Sequence, residues 1–131
     1  MTFPEFIREV QTRAQLATTK EALTVTDATL SALGGRIYMT PGEKIGASLA
    51  PHIREYLEVP YSGLNLGVED FYSRVCLRAG IDLPTAKALA AVVISVLRDA
   101  MAPGEIEEIR MRLPVEYKRL FSWYEGMPLA A

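Results

Sequence analysis

Phe6-Ile7-Arg8-Glu9-Val10-Gln11-Thr12-Arg13-Ala14 returns 65 residues later as Phe71-Tyr72-Ser73-Arg74-Val75-Cys76-Leu77-Arg78-Ala79. Each run sets a phenylalanine and a valine one helical turn apart and closes on Arg-Ala, so each reads as an amphipathic helix with one apolar face. The likeness spreads outward from this pair. Leu30/Ile94, Leu33/Leu97, Leu49/Leu113, Ile53/Tyr117 and Leu57/Phe121 match one residue closer, and the triplets Pro41-Gly42-Glu43 and Pro103-Gly104-Glu105 two residues closer still. Apolar positions persist while surface positions differ, as a repeated unit constrained by packing requires. The expected fold class is therefore all-α: a duplicated helical unit of about eight helices, long-long-short-short twice, packed as one pseudo-twofold domain. Residues 1–58 form the first repeat, 59–67 a linker and 68–131 the second.

Start and stop signals place the elements. Thr2 before Pro4 and Glu5, and Thr18 three residues before Glu21, are capping boxes, in which a threonine and a glutamate satisfy each other's backbone N–H groups. The second helix should carry Leu23, Leu30, Leu33 and Ile37, with Gly34-Gly35 weakening its last turns or marking its end. Thr40-Pro41-Gly42-Glu43 repeats the start signal and predicts a short helix that Pro51 interrupts; Pro51 then opens another bearing Ile53, Tyr56 and Leu57. Val59 to Gly67 is uncharged, with one proline and two glycines, and reads as the connection between copies. In the second copy Gly80 stops the Phe71 helix and Asp82 caps the next, which is apolar nearly all round from Ala88 to Leu97. Pro103 launches a short charged helix with Ile106 and Ile109 inward, and Leu113-Pro114 introduces a last one burying Tyr117, Leu120 and Phe121.

Half of the 131 residues are hydrophobic and just under a quarter are charged, the profile of a globular chain. The net charge is only −2. It is spread evenly along the chain, so neither half carries the basic surplus that would draw nucleic acid as a main partner. The single cysteine, Cys76, excludes an intrachain disulfide and a cysteine-based metal knuckle. Met1 to Glu5 shows no secretory pattern, and the Ala88–Leu97 run has about half of the ~20 residues a bilayer span needs. A cytoplasmic, soluble protein without a membrane partner is expected.

The Phe-x-x-x-Val-x-x-Arg-Ala helix starts, the two Pro-Gly-Glu triplets and the closing string Arg112-Leu113-Pro114-Val115-Glu116-Tyr117-Lys118-Arg119-Leu120-Phe121 together resemble a bacterial family, domain of unknown function 2267. The resemblance covers nearly the whole chain, and the closing string is its most specific part. In the first copy Leu49-Ala50-Pro51-His52-Ile53 sets the proline one place later, so that corner should differ in shape. The resemblance implies a compact helical protein with no assigned activity and no catalytic residues to carry over.

Residue chemistry points the same way. His52, the only histidine, has Glu55 as its one nearby carboxylate and lacks partners for a zinc site. Cys76 adjoins the buried face beside Val75 and reads as a small hydrophobe. Glu105, Glu107 and Glu108 suit the positive end of a helix dipole, and no Asp-x-Asp spacing suggests a metal loop. No catalytic, cofactor-binding or metal site is expected. Arg110, Arg112, Lys118 and Arg119 form a candidate basic patch, but Glu107, Glu108 and Glu116 interleave with them, which suits a salt-bridged surface. Arg13 and Arg78 each end a helix, where a cation complements the dipole.

Apolar surface is the feature such a core does not absorb. Tyr61, Leu64 and Leu66 in the linker, with Trp123, Tyr124, Met127 and Leu129 at the C-terminus, form a candidate partner surface or close a groove between the copies. The expected function is a non-enzymatic protein-interaction or self-association module, with a protein partner or a homo-oligomer. The first alternative is a small ligand or lipid bound between the repeats; the second is weak nucleic-acid binding through Arg110 to Arg119.

Overall fold

Helix α1 (Phe3–Ala14) begins where Thr2 and Glu5 exchange hydrogen bonds: the Thr2 amide donates to Glu5 Oε1 at 2.8 Å and the Glu5 amide to Thr2 Oγ1 at 3.2 Å. Helix α2 (Thr19–Gly34) opens on the same device at Thr18 and Glu21. These two boxes satisfy amides that no helical carbonyl can reach. The computed structural model describes residues 1–61 and 67–122. Within them follow α3 (Pro51–Leu57), α4 (Val68–Ala79), α5 (Leu83–Ala100), α6 (Pro103–Met111), a 3-10 turn (Val115–Lys118) and α7 (Arg119–Ser122), with no strand among the described residues. The fold is all-α.

Helices α2 and α5 occupy the middle. α1 packs on both, α4 packs on both, and the two central helices touch each other. Val92 to Leu97 of α5 are all buried, so this helix has no solvent side over almost two turns. Phe6 and Val10 of α1 and Phe71 and Val75 of α4 press into it, each essentially inaccessible. Every apolar pair aligned in the sequence, from Leu30/Ile94 to Leu57/Phe121, is buried at both positions. Tyr117 meets Phe71 edge-on, ring centres 5.8 Å apart, and donates its hydroxyl to the Gly67 carbonyl at 3.3 Å. Burial raises the Tyr117 pKa. Each fully buried side chain of this size contributes roughly 1.5–3 kcal/mol of transfer free energy.

Three expectations need correction. No helix starts at Thr40. The Thr40 amide does donate to Glu43 Oε1 at 3.0 Å, but Gly42 turns to φ +84° and the chain folds back. Two tight turns, with Gly42 and Gly46 both at positive φ, instead let Ile45 and Leu49 enter the core. The long-long-short-short order is therefore absent from the first half, and the described residues hold seven α-helices. The last expected helix is a 3-10 turn followed by a four-residue helix, which still buries Tyr117, Leu120 and Phe121. Leu23 is only half-buried, whereas Thr26 and Thr29 are buried with no hydrogen bond to either hydroxyl among the described residues. Leaving such a group unsatisfied costs about 1–3 kcal/mol.

Gly34 and Gly35 have different duties. A Cβ on Gly34 would lie 2.3 Å from the Leu57 carbonyl oxygen, because the end of α2 rides directly on the end of α3. A Cβ on Gly35 would find its nearest neighbour at an ordinary 3.6 Å. Gly34→Ala should therefore destabilise the protein by at least about 2 kcal/mol in urea unfolding, because neither backbone can yield without moving a helix. Gly35→Ala should stay within about 0.5 kcal/mol of the parent. Equal effects at the two positions would refute this packing.

Candidate functional site

The polar residues that stand out in the sequence tie the N-terminal half to the C-terminal half. Arg13, at the end of α1, reaches α5: Nη1 donates to Ser95 Oγ at 3.1 Å and Nη2 to Asp99 Oδ2 at 2.7 Å, while Nε holds Glu9 at 3.0 Å. Partial burial works against its charge, but the Asp99 and Glu9 carboxylates outweigh it and raise the Arg13 pKa. Arg78, at the end of α4, reaches the other way, to Asp27 of α2 at 3.3 Å. Asp27 is steadied by Ser31, whose hydroxyl donates to the same oxygen at 2.8 Å. The dipole argument alone did not foresee these crossings.

The two Pro-Gly-Glu glutamates also cross. Glu43 accepts both terminal nitrogens of Arg112, one at 2.9 Å, and Arg112 further donates to the Tyr38 carbonyl at 3.1 Å. The Arg112 bond, helped by the Thr40 amide, lowers the Glu43 pKa from 4.5 to about 2. Glu105 accepts from the Ala102 amide at 2.9 Å, from the Ser48 amide at 3.2 Å and from the Ser48 hydroxyl. Burial pushes Glu105 up, yet these donors prevail and hold it below its ordinary value. Glu116 lends a carboxylate to the start of α4, where Gly67 has no side chain to cap it: the Val68 amide donates to Glu116 Oε1 at 3.2 Å.

The candidate basic patch is thus partly spent on ties within the chain. Arg112 serves Glu43 and Glu108, and Arg110 serves Glu107 at 2.6 Å. Lys118, the last residue of the 3-10 turn, and Arg119, the first of α7, are exposed. His52 is exposed, its ring 5.3 Å from Phe3 and Nδ1 3.8 Å from Glu55. Cys76 is half-buried rather than fully inside. Among the described residues no group of three or more His, Cys, Asp and Glu side chains is placed to hold a metal ion, and no single helix is long and apolar enough to cross a membrane.

Of the candidate partner surface, Tyr61 is described and 47% exposed; Leu64, Leu66, Trp123, Tyr124, Met127 and Leu129 lie outside the described residues. Tyr61 has a companion the sequence reading missed. Tyr38, 59% exposed, meets it edge-on with ring centres 5.5 Å apart. Leu77, Met111 and Val115 are the other strongly exposed apolar residues that reading passed over. Helical period held the signal for Leu77, since it lies two residues past inward-facing Val75 and so points outward. Between the halves, Leu16, Lys20, Glu21, Thr24, Val25, Ala79, Ile81 and Leu89 line an open cleft of about 250 Å³.

The model of an uncharacterized conserved protein family, DUF2267, matches residues 3–120. The chain belongs to that family. No curated protein and no solved structure matches it. In this DUF2267 member the two arginines and two Pro-Gly-Glu glutamates that mark the sequence are engaged in holding the chain together.

The Glu43–Arg112 tie sets an acid limit. Pairing lowers the Glu43 pKa, so the tie is at full strength above 4.5 and fades as the pH falls toward about 2. In urea unfolding from neutral pH downward, Glu43→Gln should start less stable than the parent and lose less across that window. Superimposable curves for the two proteins would show that the tie adds nothing.

Proposed function

We propose that this protein is a non-enzymatic interaction module of the bacterial cytoplasm, two related helical units joined through residues 59–67 and meeting about a pseudo-twofold axis. Support for the axis comes from the packing: α1 with α5 and α4 with α2 across the halves, α1 with α2 and α4 with α5 within them. The Arg13 and Arg78 crossings repeat that exchange in polar form.

The observation that carries the functional reading is the Tyr38–Tyr61 pair. Two tyrosines that keep edge-to-face contact while about half exposed form a ready aromatic anchor, with apolar bodies to bury and hydroxyls already in water. Leu64, Trp123, Tyr124 and Met127 complete the proposed partner surface. The partner is a protein, with self-association as the variant in which it is a second copy. Affinity capture from the native organism tests it. The double variant Tyr38→Ser, Tyr61→Ser should lose the protein that the parent retains while unfolding within a few degrees of it. Undiminished capture by a folded double variant would rule this surface out.

A second reading rests on the cleft of about 250 Å³ between the halves, whose lining joins apolar Leu16, Val25, Ile81 and Leu89 to Lys20 and Glu21. It would take a small amphipathic ligand with an acyl or aryl body and a polar head that can meet both of these charges. Native mass spectrometry of freshly purified protein should then show a bound species that Lys20→Glu releases. A ligand-free spectrum would count against it. Nucleic-acid binding is the weakest reading, since Arg110 and Arg112 already have carboxylate partners.

A further inference from the structure

The two halves differ in how they close the groove between their paired long helices. In the second half the place is filled. The Tyr72 ring packs beside Phe71, ring centres 5.4 Å apart, and Lys87 of α5 sets Nζ 5.3 Å from the Tyr72 ring centre while reaching Glu69 of α4 at 3.8 Å. At the spacings that match the core, the first half has Ile7 for Tyr72, Leu23 for Lys87 and Pro4 for Glu69. None of the three brings an aromatic ring or a charge, and a groove of about 280 Å³ stands open between α1 and α2. Phe3, Pro4, Ile7 and Leu23 give it apolar walls. Its polar lining is Arg8, Gln11 and Thr19, so Arg8 is the only charge in it. Arg8 stands where the second half has Ser73, is exposed, and makes no ion pair among the described residues. The carboxylates around the groove are already engaged. Glu5 lies about 60° further round α1 than Arg8, away from the groove, and accepts the Thr2 amide at 2.8 Å. Glu9 holds Arg13 at 3.0 Å, Glu21 caps Thr18, and Glu55 of α3 faces His52 at 3.8 Å. Asp27, one turn past Leu23, takes Arg78 and Ser31.

We infer that this groove binds a small aromatic carboxylate: the ring lies between Phe3, Ile7 and Leu23, where the second half sets Tyr72, and the carboxylate meets the Arg8 guanidinium. The repeat supplies the argument for the ring, since the matching helix pair closes on a phenol ring where the chain provides one. The groove of about 280 Å³ has room for a phenyl group with a short acid chain, given that a cavity of about 150 Å³ admits benzene. Charge supplies the argument for the acid. One lining cation calls for one anionic group, and a planar guanidinium pairs two-pronged with a carboxylate. The Gln11 carbonyl oxygen accepts the Thr19 hydroxyl at 3.2 Å, which leaves the Gln11 amide nitrogen as a second donor at the rim. The groove shares no lining residue with the cleft between the halves and includes neither Tyr38 nor Tyr61, so it stands apart from both readings above.

Titration of the full chain with phenylacetate, followed by amide and methyl NMR, tests this. Saturable shifts should centre on Phe3, Ile7, Arg8 and Leu23, with a Kd of about 1 mM or tighter, within reach of a ligand of this size. Phenylacetamide, which keeps the ring and loses the charge, should bind at least about tenfold more weakly, and acetate, which loses the ring, should not saturate. Arg8→Glu, a surface change checked for folding by circular dichroism, should weaken phenylacetate binding at least about tenfold. Lys118→Glu, far from the groove in sequence, should leave it within about twofold of the parent. Grafting the second half's closure as Ile7→Tyr with Leu23→Lys should abolish binding. Leu23→Trp, at a half-buried position, fills the same groove and should do likewise if the change at buried Ile7 does not fold. An absence of saturable shifts at these four residues overturns the inference, as do shifts centred instead on Leu16 and Leu89 of the cleft between the halves. Equal binding of the amide overturns it, and so does unweakened binding by folded Arg8→Glu or by a folded groove-filling variant. An equal loss in Lys118→Glu would trace the binding to general attraction of anions and overturn it too.

Discussion

Helix α5 has to be surrounded. From Val92 to Leu97 every side chain is out of solvent, so a single covering layer cannot suffice, and the chain wraps α1, α2, α4 and α7 about it. Ser95 is the one polar group in that run, and its hydroxyl is doubly engaged, donating to the Val92 carbonyl at 2.6 Å and accepting from Arg13 at 3.1 Å. A helix polar on one side would allow α1 to lie anywhere along the core. A helix apolar all round, with one buried hydroxyl, fixes both which helices meet and where α1 stops.

The crossed ties set register more than stability. Exposed or half-exposed ion pairs contribute about 0–1 kcal/mol each, because water screens them and ordering long side chains is costly. Burying Phe6, Phe71, Tyr117 and Phe121 contributes several times as much. The apolar interior alone, however, would tolerate sliding of one half by a turn, since leucine, isoleucine and valine recur along it. Arg13 on Asp99, Arg112 on Glu43 and Ser48 on Glu105 each join distant parts of the chain, and each is satisfied at only one offset. Shifted packings would leave partly buried charges unpaired.

Much of this was legible in the residues. The capping boxes at Thr2 and Thr18, the Asp82 cap and the Gly80 stop are local chemistry, and local chemistry reads directly from sequence. So does the period that sends Phe6, Val10, Phe71 and Val75 inward. The failures share a cause. Thr40-Pro41-Gly42-Glu43 carries a genuine start signal and makes its hydrogen bonds, yet the chain turns at Gly42 and Gly46, and Ile45 and Leu49 are buried without a helix. Thr26 and Thr29 look like surface residues and are inside, because α2 is covered by α1, α3, α4 and α5. Gly34 reads as a weak last turn, but its reason lies 23 residues onward, at the Leu57 carbonyl. Tyr38 was passed over because its companion is as far away in sequence.

The separation of frame from surface bears on function. Residues that align between the halves mostly face inward or bridge them, so they record the fold. Some of the residues that differ in kind at aligned positions face outward: Arg74 stands where the first half has Glu9, and Leu77 where it has Thr12. Glu9 is drawn into the Arg13 tie at 3.0 Å, whereas Arg74 has no such duty among the described residues. A symmetric frame with identical outer faces could associate only through like surfaces meeting each other. Where Glu9 is spent inside the chain and its counterpart Arg74 is not, the outer sides of α1 and α4 differ. Binding specificity in this chain is therefore expected at the unmatched positions, and substitutions there can change partners without disturbing the core that the matched positions maintain.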